Sequence, residues 1–131
     1  ALDQPSRELA MRLIDKVVDH TAKDSVRIRF MLRHWLDAGQ HPESQAVEDS
    51  LNVFHQLDEL LKQAQAGGIT DRKVDTNLFL LGFFGILYSY FAFGAFSWES
   101  GRGDPQSSEN LQALKSFLHH YVFQMLDLEA M

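Results

Sequence analysis

The chain has 131 residues, 45% of them hydrophobic and 23% charged, the balance of a water-soluble globular domain large enough for a real core. Eighteen acids against twelve bases give a net charge of −6, which removes any general electrostatic reason to bind nucleic acid or an anionic membrane. With no cysteine, disulfides, thiolate metal sites and cysteine nucleophiles are excluded, and the opening "ALDQPSRELA" has no basic region followed by an apolar one, as a signal peptide would.

Five helices are expected, with no repeat and no low-complexity tract between them. The first runs from about Ser6 to about Thr21, because Pro5 and Ser6 suit a helix start. Leu9, Leu13, Ile14 and Val17 form its expected buried stripe. The second runs from about Asp24 to Ala38, with Gly39 as its stop signal. Its start "VRIRF" alternates like a strand, but no second strand candidate exists to pair with it, so helix is expected. Phe30, Met31, Trp35 and Leu36 are its heavy apolar groups.

The third helix runs from about Glu43 to Ala66 and ends at Gly67-Gly68. Val47, Leu51, Phe54, Leu57, Leu61 and Ala64 follow helical spacing along it. The fourth begins near Asp75 or Thr76, either of which could cap it, and carries "NLFLLGFFGILYSYFAFGAFSW". "ESGRGDPQSS" is a loop, and the fifth helix follows from about Ser108 to Leu128. Leu111, Leu114, Leu118, Tyr121, Val122 and Met125 share its apolar face.

The 22 residues from Asn77 to Trp98 hold no charge, and about 20 apolar residues suffice to cross a bilayer. Yet this stretch includes Asn77, two serines and three glycines, and both flanks, "DRKVD" and "ESGRGD", mix charges with no positive-inside bias. Protein is therefore the expected cover, and no membrane association is expected. On a helical wheel the stretch is polarised by size. Gly82, Gly85, Ser89 and Ala92 fall on one side; Leu80, Phe83, Phe84, Leu87 and Phe91 fall on the other. The small side suits close approach of another helix. A helix buried all round has few places in a small monomer, so a homodimer through the fourth and fifth helices is expected. On the fifth helix Ala113, Ser116, His120 and Phe123 lie outside the main apolar face, and Phe123 would be exposed in a monomer.

Chemistry-bearing motifs are sparse. Of the six histidines, His20, His34, His41, His55, His119 and His120, no two stand three or four apart, so no helical pair chelates a metal. His55 and Glu59 at i, i+4 read as a surface ion pair. Serine-hydrolase, phosphate-loop and dinucleotide signatures are all missing. No catalytic residue, metal or cofactor is expected. Arg102-Gly103-Asp104 reads as a turn. Arg27, Arg29 and Arg33 are the only basic cluster and read as a solvated face. Ligand sites combine apolar walls with a few polar groups; Phe30, His34, Trp35, Phe54, His55, Phe84, Leu87, Tyr88 and Phe91 are the residues that could build one.

The segment "LLKQAQAGGITDRKVDTNLFLLGFFGILYSYFAF" resembles the C-terminal regulatory domain of TetR-type transcriptional repressors: a long helix ending in a Gly-containing turn, a short acidic segment, an apolar helix with glycines, a loop and a last amphipathic helix. "SRELAMRLIDKVVDHTAKDSVRIRFMLRHWLDAG" is similar to the two helices after the linker helix in that family, so the resemblance spans nearly the whole chain. It implies an all-α five-helix bundle, cytoplasmic and non-enzymatic, dimerising through its last two helices at Gly82, Gly85, Ser89, Ala92, Ser116, His120 and Phe123. It also implies a small apolar effector bound among the earlier helices. The family's N-terminal helix-turn-helix domain has no counterpart in these residues, so the chain is expected to be a fragment, with DNA binding a property of the parent protein alone. Alternatives are a helical-bundle enzyme acting on an apolar substrate and a dimeric interaction module without ligand.

Overall fold

The computed structural model describes residues 3–38, 45–71, 73–98 and 103–126. They form five α-helices, α1 (Gln4–Lys23), α2 (Ser25–Ala38), α3 (Gln45–Ala66), α4 (Thr76–Trp98) and α5 (Ser108–Met125), with no strand among the described residues. No helix among them is long and apolar enough to cross a membrane.

Local chemistry sets the helix ends. Asp3, not Pro5 or Ser6, caps α1: its carboxylate accepts from the Ser6 N–H at 2.8 Å, which also holds the Asp3 carboxyl below the usual range. Pro5 falls in the first turn, where its missing N–H costs nothing. Asp24 alone separates α1 from α2. At the end of α3 the Ile69 N–H donates to Ala64 O (2.9 Å) and the Gly68 N–H to Gln65 O (3.1 Å). This is the Schellman arrangement, and it places Gly68 at φ +76°, where a Cβ would be strained. Asp75 caps α4, accepting from the Leu78 N–H at 3.1 Å. Ser107 caps α5 through the Asn110 N–H at 3.2 Å.

α4 is the central helix: α2, α3 and α5 all pack on it, while α1 packs on α5 and α2. Among the described residues two clusters, an upper and then a lower one, fill the interior. One joins Ile14, Val18, Ile28, Leu87, Phe91, Leu114 and Leu118. The other joins Phe79, Leu80, Phe123 and Leu126, with Phe54, Leu57, Leu61, Met11 and Val74 against them. The apolar Phe- and Leu-bearing side of α4 thus finds its cover within one chain.

Three sequence expectations shift. On α1 the buried line is Ile14, Val18 and Thr21, whereas Leu9, Leu13 and Val17 face outward; α5 and α2 approach from the side that also carries Asp15, and this rotates the buried arc. Among the described side chains of α2, Ile28 is buried, while Phe30 and Leu36 are exposed. The side chains of Met31, Trp35, Val47 and Leu51, and the segment with Gly39, Pro42 and Glu43, lie outside the described residues. On α5 Phe123 is only 4% exposed in the single chain. The Arg7 guanidinium lies 4.9 Å above its ring, because the α1 N-terminus covers this end of α5 and widens its buried arc.

Polar pairs fix the register of the bundle. Across α1 and α5, Lys115 Nζ meets Asp19 at 2.8 Å and His119 Nε2 meets Asp15 at 2.7 Å. Gln106 Nε2 donates to Ala22 O. Between α3 and α4 the Thr76 hydroxyl donates to the buried Asp58 carboxylate, whose other oxygen meets Lys62 Nζ at 2.9 Å. Thr76, the alternative cap for α4, is turned to this task instead. Gln65 Nε2 donates to Asp71 O and Val74 O and ties down the α3–α4 turn, and the Asp71 N–H reaches Leu126 O.

The hydrogen bond from Thr76 and then that from Lys62 hold the Asp58 carboxyl below its usual range. A carboxylate with a lowered folded-state pKa contributes stability above its unfolded value, and loses that contribution as pH falls through the folded one. Stability is therefore expected to decline as pH drops below about 4. Asp58→Asn, which keeps an acceptor for Thr76, should flatten part of that decline in urea unfolding measured across the acid range.

Candidate functional site

The residues expected to line one apolar pocket divide between two environments. Leu87 has no exposed surface and Phe91 almost none, and both belong to the upper core cluster. Phe84 and Tyr88 are half-buried beside them and stack on each other at 5.7 Å. Burial pushes the Tyr88 hydroxyl above its ordinary value, so it stays neutral. Phe54 joins the lower cluster from α3. His34 and His55 are exposed, Phe30 is 74% exposed, and the side chain of Trp35 lies outside the described residues. The structure therefore joins Phe84, Leu87, Tyr88 and Phe91 around α4 and places Phe30, His34 and His55 at the surface.

Phe30 borders a feature that periodicity did not single out. Lys23, Asp24, Val26, Arg27, Arg29, Phe30 and Arg33 line an open depression of about 680 Å³ at the corner between α1 and α2. Its signal in the sequence is the run Ser25 to Leu36, which holds three arginines and no acid in an otherwise acidic chain.

The residues expected at a dimer interface also divide. Gly82 faces inward: a Cβ there would collide with the Tyr121 hydroxyl and lie 3.2 Å from its Cζ. Tyr121 is held in that notch by its hydrogen bond to Phe79 O at 2.8 Å and by stacking on the Phe79 ring at 5.3 Å. Phe123 is buried within the subunit, as described above. Gly85, Ser89, Ser116 and His120 are exposed, and Ala92 is half-exposed. A Cβ at Gly85 would meet nothing within 4 Å. Leu78, Leu81 and Phe117 lie in the same exposed set, each more than half accessible. The antiparallel packing seen at Phe79–Tyr121 and at Tyr90–Pro105 brings these residues onto neighbouring outer faces of α4 and α5.

Comparisons with protein families, with curated proteins and with solved structures returned no match. Among the described residues no group of three or more histidines and acids could hold a metal ion. Asp58 and Thr76 form a buried polar pair that the exposed Lys62 reaches from the surface, and the buried Thr70 hydroxyl has no partner among the described residues.

Two measurements test these placements. Gly82→Ala should destabilise the fold by about 1–3 kcal/mol, the range of overpacking, despite the helix propensity it gains. Tyr121→Phe in that background should recover part of the loss as a coupling energy above about 0.5 kcal/mol. Leu87→Ala should cost about 2–5 kcal/mol as a core truncation, whereas Phe30→Ser should stay within about 0.5 kcal/mol as a surface change. Chemical denaturation reads both sets.

Proposed function

We propose that this chain is the regulatory and dimerisation domain of a TetR-like transcriptional regulator, non-enzymatic and acting in the cytoplasm. It pairs with a second copy through α4 and α5 and takes a small apolar effector beside α4. It has no membrane partner, and it influences DNA only through a DNA-reading domain joined to it in the parent protein. The resemblance in the α3–turn–α4–loop–α5 segment supports this reading. The observation that carries it is the outer face of α4 and α5. Leu78, Leu81 and Phe117 expose large apolar side chains, and Gly85, Ser89, Ala113 and Ser116 beside them are small enough for close helix approach. An exposed apolar patch among small residues is the signature of an interface.

An effector that binds one arrangement of the helices better than another shifts the population toward it. In a dimer the shift is felt by both copies, so it changes the separation of two DNA-reading heads, which half-site spacing fixes. The full burial of Leu87 in a packed cluster favours a second reading, a dimeric module with no interior ligand. A thermal-shift screen with neutral apolar compounds separates the two, since a ligand that binds only the folded state stabilises it by mass action.

Gly85→Leu tests the dimer cleanly, because inside the subunit the added side chain starts in open space. The variant should fold with at least the stability of the parent chain, as leucine has the better helix propensity. In sedimentation velocity it should shift from dimer toward monomer, because overpacking a close contact costs about 1–3 kcal/mol at each copy. A folded Gly85→Leu with an unchanged dimer population removes α4 from the interface.

A further inference from the structure

We propose that the depression at the α1–α2 corner is a binding site for an anionic amphiphile, a carboxylate on an apolar chain or ring, separate from the α4 core and independent of the dimer. The argument begins with Val26 and Phe30. They stand four residues apart on α2, on one helical face, and are 81% and 74% exposed. This apolar ridge is bordered by cations on both sides. Arg29 and Arg33, again four apart, flank one edge; Arg27 and, from the end of α1, Lys23 flank the other. Among the described residues none of these three arginines pairs with an acid; the ion pairs found are His20–Asp24, Lys62–Asp58, Lys115–Asp19 and His119–Asp15.

Asp24 is the one acid lining the depression, and it leans toward His20 at 3.9 Å. The remaining lining charge is positive, in a chain whose net charge is −6. The chemistry selects the occupant. An apolar body covers Val26 and Phe30 and removes their surface from water. A carboxylate matches the two-pronged donor geometry of arginine and gains charge-assisted hydrogen bonds. A neutral ligand would leave the guanidinium groups without a counter-charge, and a cationic one would be repelled. The volume of about 680 Å³ falls in the range of small-molecule sites, and the open geometry leaves the head group beside the arginines at the rim.

Decanoate, kept below its micelle concentration, is the probe, titrated into the full chain by calorimetry. Decanol, decyltrimethylammonium and acetate are the comparison ligands, and vesicles of anionic lipid form a separate arm. The expected result is binding of decanoate that weakens with added salt, with decanol and acetate each at least about tenfold weaker. Arg29→Gln/Arg33→Gln and Phe30→Ser should each weaken decanoate about tenfold or more, with circular dichroism unchanged because all three side chains are exposed. Arg12→Gln/Lys16→Gln removes the same net charge elsewhere on α1 and should leave binding intact.

Each of these results overturns the proposal: decanol binding as tightly as decanoate, equal loss in the Arg12/Lys16 variant, no decanoate binding up to millimolar concentration, or recruitment to anionic vesicles without binding of free decanoate. If Leu87→Ala alters decanoate binding while Phe30→Ser does not, the ligand sits in the α4 core and the corner site is wrong.

Discussion

A helix of 23 residues without one charged side chain has to be covered, and the rest of the fold is arranged around that requirement. α4 meets α2, α3 and α5 along its length. Leu87 and Phe91 close the upper core, and Phe79 and Leu80 the lower. Three neighbours surround it within one subunit, and among its described side chains Leu78, Leu81, Gly85 and Ser89 form an exposed line. Burial of apolar area dominates the energetics of such an assembly, but it is non-directional. It explains why the helices collapse on α4 and not why they do so in one register.

Register comes from polar contacts of fixed geometry. Asp15 with His119 and Asp19 with Lys115 repeat at a spacing of four on both helices, so a slip of α1 against α5 breaks both together. These pairs are partly exposed, and pairs of that kind add little to stability; their effect is on alignment. The buried Asp58 is of another kind. Removed from water, it requires both the Thr76 hydroxyl and the Lys62 ammonium, and it therefore locks the start of α4 to α3. The Tyr121 hydroxyl in the Gly82 notch does the same between α4 and α5.

Among the described residues two surfaces remain uncovered once these contacts are made, and they differ in chemistry. The outer face of α4 and α5 is apolar and carries small residues, suited to a second helix pair. The corner between α1 and α2 sets an apolar ridge between cations, suited to a small anion with an apolar body. The forces that would hold a partner at each differ: close packing at the first, charge-assisted hydrogen bonding at the second.

Much of the fold is legible in the sequence. Five helices in order, the Gly67-Gly68 stop, the cap near Asp75, and the inward placing of Phe54, Leu57 and Leu61 on α3 and of Leu114 and Leu118 on α5 all follow from local rules, because caps, turns and periodicity act over a few residues, whereas Met125, expected on the same face of α5, is exposed. Which neighbour covers which face is a tertiary decision. Leu9, Leu13 and Val17 are as apolar as Ile14 and Val18, yet α5 and α2 approach from the Ile14 side. Phe123 lies outside the main stripe of α5, yet the α1 N-terminus and Arg7 cover it. Gly82 and Gly85 are alike in the sequence, one filled by Tyr121 and the other open. Phe30 and Leu87 both read as pocket residues, and only the packing of α2 on α4 through Ile28 sends Phe30 to the surface among the arginines while Leu87 closes the core. The sequence by itself determined the helices and their composition. The direction each face points depends on contacts between residues as much as about a hundred positions apart, such as Asp15 and His119, which no local pattern encodes.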